Sequence, residues 1–232
     1  MDRILGAARL HLVNPLFSLG IPWLVVLSSF AVNLVVWGVT PASDQPGGGT
    51  TGGLAALYLT VLVVFAQSIT QLLPFAMGLS LTRRTFYLGT ALVAVLQSLV
   101  YGVVLTALAA VESGTGGWWE ELHFWAPGRM DVDNQFLQVL VFAGPMLACC
   151  ALGVASGVVV KRWGQPGLWT GIVAAILATG GALALIGSLD AWQSVFDWFG
   201  DTSMAVLAFA VPVAIAAVAG LLGFGGSRRI VP

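Results

Sequence analysis

The chain has 232 residues, of which 58% are hydrophobic and only 8% are charged. Soluble domains carry about 25% charged residues, so this composition excludes an ordinary soluble protein and indicates a membrane protein. The mean hydropathy of +0.95 agrees. The formal net charge is −1, and no nucleic-acid partner is expected.

Six apolar runs follow one another along the chain. Each is long enough to cross about 30 Å of hydrocarbon as a helix. No alternating strand pattern competes, so the predicted fold is an all-α integral membrane protein with six transmembrane helices. Little chain remains for another module, and residues 1–232 are predicted to form one transmembrane domain. The runs cover residues 17–38, 53–80, 87–110, 135–160, 167–187 and 204–224.

The charges predict an orientation, because basic residues in short loops stay on the cytoplasmic side. Eight of the nine basic residues fall on one side of the six-span pattern, and nine of the ten acids fall on the other. Arg129 is the exception among the bases, and Asp2 among the acids. Both termini are therefore predicted to be cytoplasmic. The eight basic residues are Arg3, Arg9, Arg83, Arg84, Lys161, Arg162, Arg228 and Arg229.

Amphipathic segments are predicted outside the spans. Residues 1–16 carry an imperfect leucine stripe and are expected to form an inner-surface helix. In residues 188–203, Trp192, Phe196 and Phe199 lie on the helix face opposite the aspartates, which predicts an outer interfacial helix. These aromatic residues form either an aromatic belt or an outer gate over a path. A similar stripe at residues 118–125 predicts a second outer interfacial element.

Uncharged polar side chains enter the spans in pairs four residues apart, so each pair shares a helix face. They are Gln67 and Gln71 in the second span, and Gln97 and Tyr101 in the third. Such groups either bond between helices or line a translocation path, and both interpretations stay open here. Gly153 and Gly157 predict a close helix contact.

The sequence argues against several kinds of chemistry. No acidic, basic or histidine residue lies within the predicted span cores, which disfavours ion-coupled transporters and proton pumps. No zinc-protease or membrane-serine-protease motif is present, and Cys149 and Cys150 are interpreted as core residues rather than a metal or redox pair. No metal site is predicted. The chain also lacks the Gly-x-x-x-x-Gly-Lys-[Ser/Thr] phosphate loop, so it is not expected to be an enzyme.

The loop between the second and third spans carries the run Ser80-Leu81-Thr82-Arg83-Arg84-Thr85-Phe86-Tyr87-Leu88-Gly89. The simplest interpretation of its arginines is an orientation signal. The six spans, the amphipathic ends and this Thr-Arg-Arg-x-Phe-Tyr pattern together resemble the permease subunit of type-two ATP-binding-cassette exporters, especially actinobacterial members. The long outer segment 111–134 departs from the family pattern. The resemblance implies that Thr82, Arg83, Arg84, Phe86 and Tyr87 dock onto a separate ATPase subunit.

The resemblance also implies partners and a location. ATP and Mg²⁺ would be bound by the ATPase, with no cofactor in this chain. A second permease subunit, identical or different, would complete the path in the bacterial cytoplasmic membrane. The alternative is a six-span substrate-capture subunit of a vitamin importer, or another non-catalytic membrane partner. An importer subunit needs a compact ligand pocket within one chain, whereas an exporter half places its path at a dimer interface.

Overall fold

The computed structural model describes residues 2–40 and 49–227, in which seven helices form an all-α membrane protein. Five of them are long and apolar enough to cross a bilayer. Residues 41–48, and Arg228 and Arg229, lie outside the described part. The helices are α1 Asp2–Leu10, α2 Leu16–Val39, α3 Ala55–Gly78, α4 Arg83–Gly114, α5 Gln135–Ser188, α6 Trp192–Asp201 and α7 Ala205–Gly226.

Three of the long helices contain a wider, π-helical turn next to a proline. These turns cover Leu16–Gly20, Ser68–Leu72 and Ala205–Ala210, and each ends two residues before Pro22, Pro74 or Pro212. Proline has no N–H and its ring clashes with the carbonyl four residues earlier, so an added residue in the turn relieves both problems.

Helix α5 combines the fourth and fifth predicted spans but is interrupted at Gly164. That residue has φ 70° and ψ −169°, a conformation outside the helical region that glycine adopts without strain. Residues 135–163 form the first half of the helix and residues 165–188 the second. Every buried residue of α5 lies in its first half, from Gln138 to Val158.

The first half of α5 is the centre of the bundle and packs on α3, α4 and α7. The glycine face predicted from the sequence forms the contact with α3. A Cβ at Gly157 would lie 2.7 Å from the carbonyl oxygen of Ala66, and Gly153 similarly meets Leu62. Only residues without a side chain allow this close approach of two helices.

The contacts also give the relative directions of the helices. Gly144 of α5 touches Ala208 of α7, and Gly226 at the other end touches Val158. The first half of α5 and α7 are therefore parallel. We call the end of the bundle at loop 79–82 the basic end, and the end where α4 finishes and α5 begins the acidic end.

The N-terminal segment contains helix α1, Asp2–Leu10. The face that α1 buries, however, is not the leucine stripe. Ala7 is fully buried against Gly89 of α4, where an added Cβ would lie 2.8 Å from the Ala7 Cβ. Leu5 and Leu12 are 46% and 50% exposed. The protein contact uses small residues, and the leucines remain available to the membrane.

The prediction of an outer interfacial element with one aromatic face at residues 118–125 is wrong. Trp118 and Trp119 have φ values of 61° and 65°, and β2 (Leu122–His123) pairs in parallel with β1 (Gly49–Thr50). Trp125 is buried, only 1% exposed, and packs against Phe30 of α2. Trp118, Phe124 and Trp125 thus close the acidic end of the core instead of forming one face of a surface helix, whereas Trp119 is exposed.

Candidate functional site

The basic loop begins α4 with a side-chain cap. Ser80 has φ 59°, which turns the chain after α3, and the Thr82 Oγ1 accepts a hydrogen bond of 3.2 Å from the Thr85 backbone N–H. This cap places Arg83 and Arg84 in the first turn of α4. Thr82 and Arg84 are exposed and Arg83 is half-buried, so these polar members of the predicted docking group lie at the surface.

The aromatic members of that group do not lie at the surface. Phe86 is 1% exposed and Tyr87 is 7% exposed. Phe86 stacks on His11 with ring centroids 5.6 Å apart, and Tyr87 packs on Phe224 of α7. The expectation that these two rings contact a partner directly is therefore not met in this structure, because helical spacing turns both rings into the bundle.

His11 joins α1 to α4 and was not singled out from the sequence. Its Nε2 lies 2.9 Å from the Thr90 Oγ1, which itself donates to the carbonyl oxygen of Phe86. Thr90 has one hydroxyl proton, so it accepts from His11, and the Nε2 atom carries the imidazole proton. Burial lowers the pKa of His11 to about 4 and keeps the ring neutral.

A cavity of about 240 Å³ lies between α1, the start of α2 and the π-helical turn of α3. Its lining is mainly apolar, and we call it the polar cavity because of the group of amide, imidazole and hydroxyl side chains that also line it. Gln67 and Gln71 line it together, as their spacing predicted. The Gln67 Oε1 is buried and has no hydrogen-bond partner among the described residues. An unpartnered buried amide oxygen requires water or a polar ligand. The other polar lining residues are His11, Asn14, Ser18 and Ser68.

The second predicted pair is divided between two environments. Gln97 is buried beside His11 and Ser68 at a narrow space of about 10 Å³ that adjoins this cavity. Its Nε2 has no partner within the described part of the chain. Tyr101 instead donates to the Leu19 carbonyl oxygen at 3.4 Å and packs on Trp23. Tyr101 therefore bonds between helices and does not line the cavity.

The predicted outer amphipathic segment is helix α6, and its aromatic residues are exposed. Trp192, Phe196 and Phe199 are 41%, 64% and 50% exposed. They contact neither the bundle core nor the polar cavity. Arg129, the exception to the charge pattern, donates to the carbonyl oxygens of Phe199 and Thr202 and thereby caps the end of α6. This role explains a basic residue at the acidic end.

A buried carboxylate at the acidic end was also missed. Glu112 is 1% exposed and accepts from the Trp118 Nε1 and from the backbone N–H groups of Phe124, Trp125 and Ala126, at 2.8 to 3.3 Å. It lies two residues beyond the predicted end of the third span. Its helical spacing from the other buried residues of α4 is the sequence signal that could have revealed it.

Among residues 2–40 and 49–227, no group of three or more His, Cys, Asp or Glu side chains could hold a metal ion. Comparison with known protein families, with curated proteins and with solved structures finds no match for this chain.

Proposed function

We propose that this chain is the transmembrane subunit of an ATP-driven exporter of the ATP-binding-cassette type. It would form half of a translocation path in a bacterial cytoplasmic membrane and dock through its basic end onto a separate ATPase. The ATPase would bind ATP and Mg²⁺.

The parallel packing of α7 with the first half of α5 supports six crossings. The first half of α5 ends at the basic end near Lys161, whereas α7 begins at the acidic end. The chain between them must return across the membrane. Residues 165–188 would extend over about 36 Å as a helix, which is enough for one crossing. Six crossings would place both chain ends on the same side as the basic pairs, and the positive-inside rule makes that side cytoplasmic.

The observation that carries the proposal is the physical connection between the exposed start of α4 and the polar cavity. Arg84 is exposed at the basic end, and Phe86, one turn beyond Thr82, is buried against His11. His11 in turn lines the cavity with Gln67. A push on the start of α4 would therefore be transmitted through two packed rings to the cavity wall.

This connection suggests a mechanism. Closure of the ATPase dimer would displace the first turn of α4, and the His11–Thr90 bond would move α1 with it. Because α1 covers the cavity from the basic side, the movement would change access to Gln67 and Gln71. The π-helical turn at Ser68–Leu72 lies beside this cavity, and such turns are frequent at functional sites.

The exposed surface favours a second permease subunit. Residues 165–188 contain no buried residue, and large apolar side chains on this half-helix, such as Ile176 and Leu177, are 64% and 70% exposed. Lipid can cover part of this surface. A partner permease would cover the rest, as the dimer proposal requires.

The competing function is a substrate-capture subunit of an importer. Its specific support is that the polar cavity lies within a single chain. Ligand pockets usually have volumes of about 300–1,000 Å³, so a cavity of about 240 Å³ is small for a vitamin-sized ligand. The identity of the associated ATPase separates these two functions.

The test is affinity purification from native membranes in a mild detergent, followed by mass-spectrometric identification of copurifying proteins. We expect an ATPase with a phosphate loop and a second permease. Replacing Arg83→Lys and Arg84→Lys together should reduce ATPase recovery, because docking through planar guanidinium groups is lost while the positive charge is kept. The matched control is Arg162→Lys with Lys161→Arg, which should recover the ATPase fully.

Two outcomes would contradict the proposal. Recovery of a small ligand and an energy-coupling module shared by several importers would favour the capture subunit. Unchanged ATPase recovery with the Arg83 and Arg84 double variant would reduce the loop to an orientation signal.

A further inference from the structure

A second cavity shares no lining residue with the polar cavity. It has a volume of about 410 Å³ and is bounded by α4, the first half of α5 and α7. Its lining is almost entirely apolar and rich in small side chains. Ala91 and Ala94 of α4 face Ala217 and Gly220 of α7 across it.

This groove is too large to be an ordinary packing defect. Protein interiors contain few voids larger than a water molecule, and an engineered apolar cavity of about 150 Å³ already binds benzene. The groove is also open toward the side of the bundle, since Leu88 and Val95 in its lining are 44% and 43% exposed. For helices that lie in a bilayer, acyl chains are the material that such an opening meets.

The basic end of the groove carries a polar group and a charge. The Tyr87 hydroxyl is buried and has no hydrogen-bond partner in the described part of the chain, and Tyr87 is only 7% exposed. Arg84 precedes Leu88 by four residues, so the two share a face of α4, and Arg84 is exposed. A phosphate at this end of the groove would accept from the Arg84 guanidinium.

We infer that the groove is a phospholipid site. One acyl chain lies along Ala91, Ala94 and Gly220, and the headgroup phosphate lies beside Arg84 at the basic end. An anionic headgroup is preferred because of the arginine. The site is distinct from the polar cavity, and it stands whether or not the chain is part of an exporter.

The test measures lipid retained by the whole chain. The protein is reconstituted into bilayers of equal parts phosphatidylcholine and phosphatidylglycerol and extracted gently. Bound phospholipid is then counted by native mass spectrometry. We expect wild-type protein to retain phospholipid, with phosphatidylglycerol in excess.

Glycine substitutions provide a matched pair of variants. An added Cβ at Gly220 or at Gly181 meets no atom within 4 Å, but only Gly220 lines the groove. Gly220→Leu should fill the groove and abolish retention, while Gly181→Leu should leave it unchanged. Ala217→Leu is a second filling variant in case Gly220→Leu folds poorly.

The headgroup contact is tested separately. Arg84→Gln should lower the preference for phosphatidylglycerol over phosphatidylcholine about fivefold, the effect of one basic side chain near a membrane surface. Arg3→Gln, at an exposed arginine of α1, should not change it.

Equal retention by wild-type protein and the Gly220→Leu and Ala217→Leu variants would overturn the inference. A second outcome would also overturn it. If the wild-type protein retains no phospholipid and forms a dimer that the Gly220→Leu substitution dissociates, a second copy of the chain occupies the groove. A headgroup preference that survives Arg84→Gln would contradict the placement of the phosphate.

Discussion

The Glu112 carboxylate is expected to hold the acidic end of the molecule together. Four N–H donors point at its two oxygens, from the Trp118 side chain and the backbone of Phe124, Trp125 and Ala126. Glu112→Ala leaves all four donors without this acceptor. A buried donor that loses its partner costs about 1–3 kcal/mol. The low end of that range applies because water can replace part of the lost bonding, which gives about 4 kcal/mol in total.

The expected effect on thermal stability follows from this free energy. For a chain of this size, 1 kcal/mol corresponds to about 2–4 °C in Tm, so Glu112→Ala should lower Tm by about 10 °C. Glu112→Gln keeps one acceptor oxygen but replaces the other with an amide NH2 group, which cannot accept from the surrounding N–H donors. It should lower Tm by about 5 °C.

The assay is scanning fluorimetry of the detergent-solubilised protein, with tryptophan emission as a second signal. Trp125 is buried, and its exposure to solvent in Glu112→Ala should shift emission to longer wavelength. The control is Glu121→Gln at an exposed glutamate, for which a change of about 1 °C is expected. If Glu112→Ala shifts Tm no more than Glu121→Gln does, the carboxylate does not organise this end.

The remaining predictions concern three other contacts. Burial of the ring when α1 packs on α4 lowers the pKa of His11 from 6.5 to about 4. The state in which α1 is detached therefore binds more protons between these two pH values. The packing of α1 on α4 should weaken by about 3 kcal/mol as the pH falls from 6.5 to 4. A spin label on α1 should become mobile in acid in wild type, and its mobility should not depend on pH in His11→Gln. Gly157→Leu should lower Tm by several degrees through overpacking, since its Cβ would lie 2.7 Å from an α3 carbonyl oxygen. The control is Gly171→Leu, whose Cβ meets no atom within 4 Å and which should leave Tm unchanged. Arg129→Gln should raise hydrogen exchange of residues 192–201 about fivefold, the effect of losing about 1 kcal/mol of hydrogen bonding. Unchanged hydrogen exchange in Arg129→Gln would show that Arg129 does not stabilise the end of α6.

The sequence predicted the long helices well because hydrophobic runs of bilayer length have one simple structural solution. The first predicted span, residues 17–38, matches Leu16–Val39 within one residue at each end. The third was predicted too short at both ends. The Thr82 cap lies before its apolar run, and Glu112 extends the helix beyond it because the loop backbone supplies donors to the carboxylate.

Tertiary contacts decided the features that the sequence could not predict. The stripe at residues 118–125 has helical spacing, but Gly116 and Gly117 have φ values of 64° and 73°, and the chain turns instead of continuing as a helix. The aromatic rings then pack on α2. Likewise, a lone histidine after α1 gives no sign that it will dock between Phe65 and Phe86. The pair Gln67 and Gln71 was predictable, because spacing alone places both on one helix face.

We propose that the basic end of the bundle docks onto an ATPase. The most direct measurement is photocrosslinking in living cells, with a benzoylphenylalanine residue in place of Leu79, which is 55% exposed in the loop before α4. The control position is Trp119, which is 81% exposed at the acidic end. We expect a crosslink from position 79 to a protein with a phosphate loop and none from position 119. A crosslink to the ATPase from position 119 alone, or only to lipid from position 79, would contradict it.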